Sequence, residues 1–531
     1  MDFQPAYEPS PRAPRRLPPR RLTPRIVAAA VGAVIVAGLL LVALLQRSGA
    51  GEPGAGASPG ASAGASASAS PAGSFNAGPS ASAPPNGTPG PGSSAGPTAP
   101  PPATGAATLP VRGDAGEIVM AAGPDRGLYV SIPDGETHVL ALLGADGTVG
   151  PGWPIRVASS WCPEIASGDD GSVRLVCGPP DQGDVGLQEP TVRIFGFDRD
   201  GRSLPGWPVE VAGEPWGFAA RMVGPDLAVL IRPYMGDAPP EGAPEELQLG
   251  LIDGRGALQT GSVVQYDCCD ADYAIGPDGT GYLVQHEWRP GDAWRAVVVA
   301  FRIEGLFPSW PVTIDGNVSS LGFDDEGRIY AAVAGPGTSV SRTVVMDRSG
   351  QILPSSAADL PIGLTSSWSG AGDSHPAAPI VGAGGTTFIV SEPDGTEILA
   401  VDGGGSLLPG WPYRSSAGLE DAGRCNDMDT GCGVFRVEPV VDTLDVLYVA
   451  QSATSTSAGG RLIALTDRGQ VVDGWPVGLT RPGAYFYSIL PASGGGLWAL
   501  ALEPEGNGSS ATVLSIARDS TVRWTMTIAE P

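Results

Sequence analysis

The chain has 531 residues, with 31 basic against 56 acidic side chains and a net charge of −25. An acidic body of this size repels nucleic acid and anionic lipid, which excludes nucleic acid as a partner; length alone leaves room for several domains. The charge is also uneven: residues 1–47 hold seven Arg and two acids, a net of +5, leaving 24 bases and 54 acids, a net of −30, for the remainder.

Residues 1–25 form a basic tail. Ile26–Leu45 is twenty apolar residues without a charge. At about 1.5 Å of helical rise each, they match the roughly 30 Å of a bilayer core. The Arg cluster on the N-terminal side predicts a cytoplasmic N terminus and a single-pass plasma-membrane protein whose remainder is exported. Ser48-Gly49-Ala50 offers a cleaved signal peptide as the rival, although the apolar run is longer than a usual signal core. No Cys precedes Cys162, so no lipoprotein attachment site exists upstream. Residues 46–112 are dominated by Gly, Ala, Ser and Pro. Such a stretch buries too little apolar surface to offset its chain entropy and is expected to be a disordered linker.

Residues 113–531 are organised by a short phrase: Pro151-Gly152-Trp153-Pro154, Pro205-Gly206-Trp207-Pro208, Pro308-Ser309-Trp310-Pro311, Pro409-Gly410-Trp411-Pro412 and Asp473-Gly474-Trp475-Pro476, with a decayed copy at Trp524. The Trp-to-Trp intervals are 54, 103, 101, 64 and 49 residues. The two long intervals are doubled, so each hides a copy; the hidden third strands are Leu249–Asp253 and Thr343–Asp347. Each unit reads as a short apolar run, a strongly β-type run, a third run ending in Asp or Gly, and a Trp-Pro strand. A period near 50 residues with four short strands predicts an all-β, eight-bladed propeller of four-stranded antiparallel blades, with seven blades as the alternative. A Trp in register in every unit reads as a buried staple, which assigns Trp153, Trp207, Trp310, Trp411, Trp475 and Trp524 to blade docking. The Pro that follows cannot donate to a ladder and suits an outermost strand.

The third-strand, turn and Trp sequence, as in Ile463-Ala464-Leu465-Thr466-Asp467-Arg468-Gly469-Gln470-Val471-Val472-Asp473-Gly474-Trp475, resembles the tryptophan-docking repeat of the quinoprotein-like (PQQ-like) propellers over residues 113–531. The resemblance implies that each indole packs flat between neighbouring blades. It does not imply an activity, because that superfamily includes non-enzymatic scaffolds as well as dehydrogenases.

The first-to-second and third-to-fourth turns are tight and share one face of an up-and-down blade. The long, dissimilar connections, 178–190, 233–245, 364–378, 413–436 and 452–459, share the other. Variable loops on a rigid scaffold are where binding usually resides. All six Cys fall on or beside that face: Cys162, Cys177, Cys268, Cys269, Cys425 and Cys432. In an exported chain an even count reads as disulfides. Of fifteen pairings, proximity favours 162–177 and 425–432, which leaves 268–269 vicinal. Dehydrogenases of the resembled family carry a vicinal disulfide against PQQ, but Asp267, Asp270 and Asp272 near this pair carry no catalytic signature. Asp427 and Asp429 alternate as in the opening of a calcium loop, with Glu438 at position 12, making Ca2+ the one ion with a candidate site. Acids such as Glu245 and Glu420, and rings such as Trp161, Trp294 and Tyr487, suit a glycan or a basic protein partner. No metal-spaced His, nucleophile elbow or P-loop occurs. The expectation is a non-enzymatic, membrane-anchored, extracytoplasmic binding or scaffold module without a cofactor. The alternative is an enzyme in the propeller funnel, a glycan-active hydrolase or lyase or a PQQ-dependent oxidoreductase.

Overall fold

The computed structural model describes residues 109–110, 118–159, 161–178, 191–213, 219–232, 244–266, 271–289, 293–334, 341–354, 359–360, 379–382, 384–391, 396–419, 437–452, 459–505 and 508–529. The expected tail, the Ile26–Leu45 span and nearly all of the linker lie outside them. Among the described residues no helix is long and apolar enough to cross a membrane.

Eight antiparallel sheets follow one another along the chain, and each keeps its strands in sequence order from first to fourth. Blade 1 runs from Val119 to Val157, blade 2 from Glu164 to Ala212, blade 3 from Ala220 to Tyr266 and blade 4 from Ala271 to Asp315. Blade 5 runs from Asn317 to Leu360, blade 6 from Ile380 to Ser415, blade 7 from Val440 to Gly478 and blade 8 from Tyr485 to Ala529. The first strand of each blade lies against the next blade, and Tyr485–Pro491 of blade 8 meets Val119–Ala122 of blade 1, which closes the ring. The protein is an eight-bladed β-propeller. The two hidden copies are the third strands of blades 3 and 5, Glu245–Ile252 and Ser341–Met346. Leu109 and Pro110, expected in the linker, instead pair in parallel with the last strand, Leu109 opposite Ile528 and Pro110 opposite Ala529. Blade 8 therefore has five strands.

The turn chemistry explains the uniform face. In blades 2, 3, 5 and 6 the third-to-fourth turns open on Asp198, Asp253, Asp347 and Asp402. Each Oδ1 accepts the backbone N–H groups two and four residues on. Thr466 Oγ1 does the same in blade 7. Side-chain oxygens that satisfy their own turn are why Asp and Thr recur there.

The indoles of Trp153, Trp207, Trp310, Trp411, Trp475 and Trp524 are 5–8% exposed. Five of them donate Nε1–H to the second residue of the next blade's third-to-fourth turn. The acceptors are the carbonyls of Arg199 (3.0 Å), Gly254 (3.5 Å), Asp467 (2.9 Å), Arg518 (2.8 Å) and, across the closure, Ala145 (3.0 Å). Within its own blade each ring but that of Trp524 meets the second residue of the second strand. Tyr129, Tyr282, Phe388 and Tyr448 lie 5.5–5.7 Å away by ring centroids, and in blade 2 the Arg174 guanidinium sits 4.6 Å over Trp207. Each Pro of Trp-Pro stands immediately before the fourth strand, as its missing donor requires.

The exception is Trp310, whose buried Nε1 has no hydrogen-bond partner. Its phrase carries Ser309 where four others carry Gly. Gly152, Gly206, Gly410 and Gly474 adopt φ of +82 to +95, a region Ser309 does not share. An added Cβ at Gly152, Gly206 or Gly410 would stand 1.9–2.2 Å from a carbonyl oxygen of the next blade's turn. The blade 5 turn still lies against Trp310, since an added Cβ at Gly350 would stand 3.0 Å from Cε2, but no carbonyl of that turn accepts from Nε1.

Candidate functional site

The first strands wall the central channel and begin at its long-loop end. Counting back four residues from the residue that opens each first turn (Gly168, Gly276 and Asp442) gives Glu164, Asp272 and Glu438. Blades 2, 4 and 7 therefore place a carboxylate in the same tier, just inside the long-loop mouth.

Each acid has a distinct setting. Cys162 and Cys177 form a disulfide beside the start of blade 2, pinning the backbone from which Glu164 projects. Glu164 Oε1 accepts the N–H of Ala220 in blade 3 at 2.9 Å. The side chain touches solvent yet is walled by protein on nearly every side. This burial pushes its carboxyl up to about 7, against the smaller opposing effect of the Ala220 N–H. Tyr273 of blade 4 stands close enough to feel it: burial raises the phenol, Arg232 lowers it and Glu164 raises it again. Glu438 is exposed to the channel but enclosed in the same way, and burial alone raises its carboxyl. Asp272 lies 3.8 Å from Nε2 of the buried His286, which meets Trp294 edge-on.

The enclosed Glu164 carboxyl has a pH signature. Folding lifts its pKa from 4.5, so the folded protein holds that proton more tightly than the unfolded chain, and stability falls as pH rises from about 4.5 to about 7. Glu164→Gln keeps an oxygen for the Ala220 N–H and removes the charge. Denaturant titrations are expected to find the variant about 1–3 kcal/mol more stable than wild type at pH 8 and equal to it at pH 4. A constant difference across that range would mean that Glu164 does not titrate there.

Two expected contributors to the loop face are placed elsewhere. Glu245 is buried in an ion pair with Arg232 and accepts from Tyr266 Oη at 2.6 Å, so its charge is spent inside blade 3. Tyr487 is 6% exposed, because the strand bulges between Phe486 and Ser488 and turns the ring inward. Trp161 and Trp294 remain half-buried. Cys268, Cys269, Cys425, Cys432, Asp427 and Asp429 lie outside the described residues. Among the described residues no cluster of three or more His, Cys, Asp or Glu is placed to hold a metal ion. The sequence reading missed the tier itself. Its signals were an acid beside a proline at a blade start, in Pro163-Glu164 and Glu438-Pro439, together with the constant distance to the following turn.

No protein-family model matches the chain, and no curated protein matches it. Among solved structures it is similar to a quinoprotein alcohol dehydrogenase-like protein from Bacteroides thetaiotaomicron, at 10% identity over 81% of this chain and 97% of that one, with a TM-score of 0.34. It is also similar to Porphyromonas gingivalis dipeptidyl peptidase 4, at 11% identity over 77% of this chain and 59% of that one, with a TM-score of 0.45. A putative 6-phosphogluconolactonase from Bacteroides fragilis has 13% identity over 68% of this chain and 95% of that one, with a TM-score of 0.39. These likenesses concern fold alone.

Proposed function

We propose that the protein is a membrane-anchored, extracytoplasmic scaffold that engages a protein or glycan partner through the long-loop face of its propeller. The observation that carries this reading is the asymmetry of the two faces. One is finished by turns that satisfy their own hydrogen bonds; the other receives the longest connections between strands, those before Thr191, Glu245, Ile380 and Val440. A rigid ring with one irregular rim suits recognition, since loops vary without cost to the core. The strongly acidic body favours a partner with basic character. An enclosed carboxyl that titrates near neutrality favours the second reading, an enzyme in the funnel with Glu164 as acid or base. Among the described residues no charge from another carboxylate contributes to the shifts of Glu164 or Glu438, so these two lack the mutual coupling of two acids sharing one site.

Site-specific photo-crosslinkers test the choice of face in the full-length chain in its own membrane. Probes at positions 136 and 416, exposed at the long-loop end of blades 1 and 6, are expected to give a discrete adduct. Probes at 200 and 349 in the tight turns are expected to give none. Adducts from the turn positions alone would overturn the assignment, and a quinone co-purifying in stoichiometric amount would move the protein to the enzyme reading.

A further inference from the structure

Short strands, prolines and charges are the usual devices that keep a sheet edge from pairing with another chain. The fourth strands of blades 1, 2, 4, 6 and 7 span two to four residues behind a Trp-Pro, and that of blade 5 is the pair Asp359–Leu360. Blades 3 and 8 differ: their fourth strands run for nine and eight residues without a proline. The fold closes one of these edges itself, since Leu109 and Pro110 pair with Ile528 and Ala529 of blade 8. The other, Leu258–Tyr266 of blade 3, has no strand on its outer side among the described residues. It also carries no charge, whereas every other outer strand longer than two residues carries one: Arg156, Glu210, Asp315, Arg414 and Arg523. The half nearer the tight turns is protected. The ladder bulges between Thr260 and Val263, and Ile303 of blade 4 lies so near Gly261 that an added Cβ would stand 2.4 Å from its Cα. Beyond the bulge, Val263 to Tyr266 pair in regular register with Gln248 to Glu245. Val263, 46% exposed, and Gln265 point to solvent, while Val264 and Tyr266 are buried.

We infer that this open ladder pairs, antiparallel, with the same ladder of a second copy of the chain. Pairing about a twofold axis makes the outward N–H and C=O groups of each copy the complement of the other's. Such an axis keeps the alternation in phase: Val263 and Gln265 of both copies line one side of the joined sheet, and Val264 and Tyr266 the other. The uncharged sequence suits its own copy in particular. A charged strand meeting its own copy sets like charges across the seam, at a cost; this one sets none. The acidic bodies, at −25 per chain, still repel at a distance, so salt strengthens the contact by screening that repulsion. A single strand edge buries less than the roughly 1,200 Å² of a stable interface, so the dimer is weak and depends on concentration. The contact lies on the flank of the ring and does not rest on the reading of the long-loop face.

Photo-crosslinking in the full-length chain tests this. A probe at position 265 is expected to give an adduct of twice the chain's mass, with the probe joined to a residue between 258 and 266 of the second copy. A probe at 313, exposed on the outer strand of blade 4, is expected to give none. The yield at 265 is expected to rise with protein concentration and with salt. Val263→Glu is expected to lower it about fivefold or more, and mixing Val263→Glu with Val263→Lys copies to restore it, because opposite charges then meet across the seam. Both substitutions fall on an exposed side chain, so the fold tolerates them. An adduct with a different protein would assign the edge to another partner and overturn the proposal. So would a self-adduct that survives Val263→Glu, a yield that falls as salt rises, or no adduct at 265 at any concentration.

Discussion

Gly206→Ala is expected to cost about 4 kcal/mol, and Gly135→Ala about 1 kcal/mol. Both residues have positive φ, +86 and +64, so each substitution incurs the left-handed penalty of an L side chain, about 1–2 kcal/mol. They differ in what the new methyl meets. At Gly135 nothing lies within 4 Å. At Gly206 the Cβ would stand 1.9 Å from the carbonyl oxygen of Arg255, so the third-to-fourth turn of blade 3 must move away. That turn also presents the Gly254 carbonyl to Trp207 Nε1, and Gly256 packs against the Gly206 carbonyl. Moving it breaks the indole's hydrogen bond and loosens the seam between blades 2 and 3. Urea unfolding followed by tryptophan fluorescence measures both losses. Equal losses would mean that the glycine serves only its own backbone conformation and not the contact between blades.

The same contact explains why the ring was readable from sequence. A Trp, the Gly before it and the Pro after it each answer a separate demand of one seam: an indole to bury, a backbone that must approach closely, and a strand edge that needs no donor. These demands met together recur at about 50 residues or twice that, so the spacing of six copies counts eight blades. Other features answer only one local demand and leave no pattern. Glu245 stands between Glu241 and Glu246 in an acidic stretch that looks solvated; nothing in that stretch announces that Arg232, thirteen residues earlier, returns beside it. Tyr485 and Tyr487 alternate as if on one face, but the bulge falls at Tyr487 and buries its ring. Leu109-Pro110 carries no strand signal, and its place comes from the edge it joins. The acidic tier has one member per blade in three unrelated contexts, and it becomes visible only when the strands are aligned on their turns.

The seam between blades 5 and 6 is expected to open before any other. Blade 5 lacks a Trp, and among the described residues the apolar contact to blade 6 is Ala332, Ile389, Leu399 and Val401, without an aromatic ring. Every other buried cluster includes at least one. A polar group takes over instead. Asp324, 5% exposed, accepts from Arg328 Nε at 2.6 Å and from Tyr330 Oη at 2.9 Å, and Arg328 and Tyr330 border Gly385 of blade 6. An indole buries about 150–250 Å², several kcal/mol at about 25 cal/mol per Å², whereas a part-exposed ion pair is worth far less. Thiol labelling under native conditions compares the seams directly. Ala332 and Ala464 are both fully buried small residues facing a seam, the first toward blade 6 and the second toward blade 8. Ala332→Cys is expected to react about 100-fold faster than Ala464→Cys. Adding Asp324→Ala strands the buried Tyr330 hydroxyl and leaves Arg328 with Glu326, a loss of about 1–2 kcal/mol, and is expected to speed labelling at 332 by about a further tenfold while leaving 464 within a fewfold. Equal rates at the two sites would mean that the ring opens only by unfolding as a whole, and that the polar group at Asp324 holds its seam as firmly as a tryptophan does.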